Sequence, residues 1–68
     1  MKLLDVVALT EDFPEHDLIR GQVGTIVEEL PSDAYEIEFS DDQGQPYASI
    51  GVRAEKLIVL HYQPAKAA

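Results

Sequence analysis

Ala34-Tyr35-Glu36-Ile37-Glu38-Phe39 alternates without a break, with Tyr35, Ile37 and Phe39 on one face and Glu36 and Glu38 on the other. Successive side chains leave a strand on opposite sides, so a period of two marks a strand with one buried and one wet face. Turn residues flank it on both sides. Leu30-Pro31-Ser32-Asp33 comes before, and Asp41-Asp42-Gln43-Gly44 follows with a glycine available for positive φ. The strand is therefore the middle member of two hairpins, and its neighbours in sequence become its neighbours in space.

Upstream, Gln22-Val23-Gly24-Thr25-Ile26-Val27-Glu28 reads as a strand entered through Gly21. Gly24 interrupts it where a small residue permits a strong bend or a close backbone approach. Asp5-Val6-Val7-Ala8-Leu9 is apolar and β-branched and predicts the first strand, stopped ahead of Pro14. The acidic stretch from Glu11 to Arg20 follows neither period and predicts a loop of roughly ten residues with Phe13 and Leu18 or Ile19 tucked inward. Downstream, Gln45 to Val52 returns from the hairpin turn at Gly44, and Pro46 places its start at an edge. Arg53-Ala54-Glu55-Lys56 fits one 3₁₀ turn before a last strand, Leu57-Ile58-Val59-Leu60. The whole is all-β, a small five-stranded antiparallel barrel forming one domain over residues 1–62, with a tail at 63–68.

Thirteen acidic side chains face five basic ones, for a net charge of −8. Binding nucleic-acid phosphates or anionic lipid needs clustered cations, and Lys2, Arg20, Arg53, Lys56 and Lys66 are scattered, so a basic protein is the easier partner. A charge at Asp5 directly after the apolar pair Leu3-Leu4, and the lack of any apolar run near 18 residues, predict a cytoplasmic protein without a membrane span. The chain has no cysteine, and His16 and His61 are isolated, so neither disulfide nor zinc is available as a staple. A chain this short hides only about 60% of its surface on folding, which raises the expectation of self-association.

No serine has an evident histidine and acid partner, and no thiol nucleophile exists, so no enzyme and no cofactor are expected. Gly21-x-x-Gly24 lacks the lysine and following helix of a phosphate loop. Glu11, Asp12, Glu15 and Asp17 crowd four carboxylates into the first loop, a surface for a basic partner or, alternatively, oxygen ligands for a hard cation. The terminal strands are apolar on both faces: Leu57 and Val59 point one way, Ile58 and Leu60 the other, and Leu3 to Leu9 is equally unpatterned. An antiparallel sheet with one wet face should alternate. The first loop therefore covers the outer face, or another molecule does, through Leu4, Val6, Ile58, Leu60 and Tyr62.

Arg20 to Glu28, together with Tyr35 to Phe39, Asp42, Gly44 and Ala54 to Leu57, resembles a family of short bacterial proteins defined as a domain of unknown function. The resemblance runs from Leu4 to Leu60 and implies an SH3-like barrel, with no activity, cofactor or catalytic residue to carry over. Gly21-Gln22-Val23-Gly24-Thr25-Ile26 also resembles the bent glycine-bearing strand of the KOW module. RNA-binding KOW modules use basic loops, whereas this loop is acidic. The reading that follows is a non-catalytic interaction module, a homodimer or a binder of a basic protein in the manner of an antitoxin or immunity protein, with Gly21, Gly24 and Gly44 structural. A KOW-like accessory domain of the translation or transcription machinery and a small cation-binding protein are the alternatives.

Overall fold

The computed structural model describes residues 1–61; Tyr62 and the tail at 63–68 lie outside the described residues. Five antiparallel strands form one open sheet: β1 (Val6–Leu9), β2 (Val23–Leu30), β3 (Ala34–Ser40), β4 (Pro46–Arg53) and β5 (Leu57–Val59). Their order is β4-β3-β2-β1-β5, so the chain meanders from β1 to β4 and then returns β5 to the far side of β1. The arrangement is all-β and consistent with an SH3-like barrel. A 3₁₀ turn at Ala54–Lys56 leads into β5, and a second, at Pro14–His16, lies inside the first loop.

The core lines the concave face. Val7 and Leu9 of β1, Ile26 of β2, Ile37 and Phe39 of β3, Val52 of β4 and Leu57 of β5 are buried together, and Leu18 from the first loop joins them. Among the described residues every buried side chain is apolar. The alternation at Tyr35, Ile37 and Phe39 thus marks the core face, with Tyr35 packing at its margin.

Gly24 sits between Val7 and Phe39 in the paired register. A Cβ added there would lie 2.6 Å from Ile37 Cγ2 and 2.9 Å from the Glu38 carbonyl oxygen, so the glycine lets β2 and β3 close on the core. The β3–β4 hairpin is organised by Asp41, whose Oδ1 accepts the N–H groups of Gln43 and Gln45, each at 2.9 Å. Gly44 supplies the φ of +79° that this turn requires.

The first loop turns inward. Phe13 and Leu18 exchange backbone hydrogen bonds of 2.8 and 3.2 Å, which pinches the loop into a compact unit. Leu18 is 1% exposed within the core, while its neighbour Ile19 points to solvent at 63%. The Gly21 N–H donates to the Leu9 carbonyl at 2.8 Å and returns the chain to the sheet. The loop therefore adds Leu18 to the concave side of the sheet, with Phe13 packed against the core.

Candidate functional site

Register fixes what the convex face carries. Ala8 pairs with Ile58 on one side and Val23 on the other, and directly opposed residues share a face. Val6 lies two residues from Ala8 and faces the same way, paired with Thr25. The Leu60 N–H donates to the Val6 carbonyl at 2.9 Å, which continues the β1–β5 pairing and brings Leu60 onto that face. An apolar patch across β5, β1 and β2 results, made of Ile58, Leu60, Val6, Ala8 and Val23. Ile58 is 55% exposed and Val23 43% exposed, while Val6 and Leu60 are half-buried.

An acidic row runs beside it. Glu38 of β3 pairs with Thr25, and Glu36 pairs with Glu28 of β2. Between Ile26 and Glu28 the register slips by one residue, so Val27 is unpaired at a bulge and Glu28 faces Glu36 directly. Two carboxylates in opposed positions repel. The described residues show three ion pairs, Lys2–Asp5, Arg53–Glu55 and Lys56–Glu11, and none involves Glu28, Glu36 or Glu38. Ser49 is the neighbour that meets this row, its hydroxyl donating to Glu36 Oε2 at 2.7 Å.

The four loop carboxylates do not form a common site. Asp12 accepts the Arg20 N–H at 2.8 Å and so helps close the loop, and Glu11 holds Lys56 at 2.9 Å. Glu15 lies in the 3₁₀ turn, and Asp17 ends it in the left-handed region. Among the described residues no three or more His, Asp or Glu side chains gather as a metal would require. His16 and His61 are both exposed and far apart in the chain.

Leu4 stands at one end of the apolar patch under strain. The Asp5 N–H donates to the Lys2 carbonyl at 3.1 Å, and the Asp5 carboxylate accepts the Lys2 N–H at 3.0 Å, making a turn with Leu4 third. Leu4 has φ of +72° there, a value this turn position normally gives to glycine or asparagine. Its N–H donates to the Ile26 carbonyl at 2.8 Å, placing an exposed leucine at the Ile26–Val27 end of β2. A left-handed non-glycine residue costs about 1–2 kcal/mol, and glycine gives back part of that through its freer unfolded chain. Leu4→Gly is expected to stabilise the domain by about 0.5–1 kcal/mol, raising the melting temperature by a few degrees in a calorimetric scan. An unchanged or lower melting temperature would show that the leucine side chain contributes more to the fold than its backbone costs.

Sequence reasoning had singled out Leu4, Val6, Ile58 and Leu60, and the register brings the last three onto one face with Leu4 at its end; Tyr62 lies outside the described residues. Val23 and Glu28 were missed as members of the face. For Val23 the signal was present, since it shares phase with Thr25. Glu28 depends on the bulge, which leaves no mark in the spacing.

These features define a small all-β domain of SH3-like type with a buried concave face and a convex face divided into apolar and acidic halves. The chain belongs to the family described as Domain of unknown function (DUF4926), whose sequence model matches residues 3–59. No curated protein and no solved structure matches the chain. Among the described residues no helix is long and apolar enough to cross a membrane.

Proposed function

We propose that this protein is a non-catalytic interaction module that works through the convex face of β1, β2 and β5. One observation carries the reading: the first loop places Leu18 in the concave core, and Ile58 and Val23 on the other face remain exposed on either side of the buried Ala8. An apolar group left in water forfeits about 25 cal/mol for each Å² that burial would hide, and a contiguous patch rimmed by charge is the usual form of a binding surface. The net charge of −8 favours a basic partner by steering its approach. Of the four loop carboxylates, Asp12 accepts the Arg20 N–H and Glu11 holds Lys56, which supports a structural role for these two. A cytoplasmic, bacterial setting and an antitoxin- or immunity-like role belong to the same proposal.

The test is a pull-down with three baits, the wild type, Ile58→Asp, and Glu15→Gln with Asp17→Asn. Ile58 is already exposed, so its replacement should leave the melting temperature within about 1 kcal/mol equivalent of wild type. A discrete basic protein held by the wild type and the loop variant, and lost from Ile58→Asp, is the expected result. Loss from the loop variant with retention by Ile58→Asp would move the site to the first loop and overturn the proposal.

A further inference from the structure

We infer that the convex face receives an amphipathic helix of a partner protein, apolar on the side that meets β5, β1 and β2 and lined with lysine or arginine along the flank that meets β3. This rests on the interaction-module reading and specifies its occupant. The apolar half spans three strands, two spacings of about 4.8 Å, which matches the roughly 10 Å diameter of one helix laid along the sheet. A helix layered on a sheet is also the ordinary way in which an apolar sheet face is covered.

The acidic row chooses the flank. Glu38 lies one strand from Thr25, and Glu36 opposes Glu28, so a helix seated on Val6, Ala8 and Val23 carries its side residues within reach of all three carboxylates. Glu28 and Glu36 hold opposed register positions, an arrangement unfavourable for like charges, and none of the three carboxylates takes part in an ion pair among the described residues. A lysine or arginine placed between them would face two carboxylates at once. A second copy of this chain is a poorer source of that cation than a basic partner. Among the described residues Lys2, Arg53 and Lys56 pair with Asp5, Glu55 and Glu11, which leaves the exposed Arg20, and each copy brings the same net charge of −8 that opposes its approach.

The probe is a capped synthetic peptide of about 18 residues of Leu, Lys and Ala, with leucines at helical i, i+3, i+4, i+7 spacing and lysines along one flank. Two controls accompany it, the same composition in scrambled order and a version with Glu for Lys. Binding to the full chain is measured by calorimetry, and the contact face by amide and methyl shifts in NMR spectra. The patterned peptide should bind at least about tenfold more tightly than either control and shift Ile58, Val23 and Glu36. Ile58→Asp should weaken it by about tenfold or more, and Glu28→Gln with Glu36→Gln should weaken it and flatten its salt dependence.

Equal affinity for the scrambled peptide overturns the inference, because bulk charge then accounts for binding. So does loss of affinity in Glu15→Gln with Asp17→Asn while the Glu28 and Glu36 variant is unaffected. Light scattering separates this failure from failure of the wider reading. A dimer dissociated by Ile58→Asp, with no peptide binding, keeps the interaction module and replaces the helix with a second copy. A monomer that binds no peptide, and whose Ile58 methyl shows Overhauser contacts to residues 62–68, removes both.

Discussion

Replacing Gly24 with alanine is expected to cost about 3 kcal/mol, at the upper end of what overpacking a core does. The new methyl would meet Ile37 Cγ2 at 2.6 Å, the Glu38 carbonyl oxygen at 2.9 Å and Phe39 Cδ1 at 3.0 Å. The carbonyl belongs to the β2–β3 ladder, and the two side chains are wholly buried, so none of the three can withdraw without opening the sheet. A domain of this size is stable by only about 3–10 kcal/mol, so the variant should melt roughly 15 °C lower or fail to fold at all. Gly51→Ala is the matched control. There the added carbon would meet only the far end of the Leu30 side chain at 3.2 Å and the Glu36 carboxylate at 3.7 Å. A flexible Leu30 can swing aside, and the change should stay within about 1 kcal/mol of neutral. Comparable losses from the two variants in chemical denaturation would show that the β2–β3 approach at Gly24 is looser than the geometry states.

Leu18→Ala should cost about 3 kcal/mol as well, through a cavity in place of an overfilled core. Leu18 is among the largest wholly buried side chains and is the member of the core cluster contributed by the first loop. Its loss removes the anchor that holds the loop on the concave side, so amides from Glu11 to Arg20 should lose protection from hydrogen exchange before the strands do. The Phe13–Leu18 backbone pairing would then persist as a local hairpin held to the core by Phe13. Exposure of Ile58 should not change, since the side chain that anchors the loop lies in the core on the other face. A loss below about 1 kcal/mol, or new protection at Ile58, would mean that the loop exchanges between the two faces.

Both variants test the same division of the molecule, and the sequence shows only part of it. The order and type of all five strands follow from Val6 to Leu9, Gly24, the run from Tyr35 to Phe39, Pro46 and Leu57 to Val59, because local periodicity and turn chemistry suffice to define a meander. Boundaries shifted where a turn was tighter than its composition implied. β2 runs to Leu30, beyond the expected end at Glu28, because Ser32 and Asp33 both adopt left-handed conformations and turn the chain within three residues. The expected last strand ends at Val59, with Leu60 still hydrogen-bonded to Val6. The 3₁₀ turn at Pro14–His16 was hidden in a segment without a period.

By itself the sequence determined that the termini are apolar on two faces, that the net charge is strongly negative, and that no cysteine is present to form a disulfide. Those are properties of composition and phase, which the chain carries before it folds. It left open whether the first loop covers the convex face, because an irregular segment containing Phe13, Leu18 and Ile19 can reach either side. Only the tertiary structure decided that Leu18 goes into the concave core and Ile19 into solvent. The place of Glu28 is of the same kind. Without the slip at Val27 it would oppose Tyr35 on the core side, and with it Glu28 opposes Glu36 on the outer side. Strand side chains alternate with a period of two, so one unpaired residue moves everything beyond it to the other face, and pairing between strands, not order along one of them, settles where that residue falls.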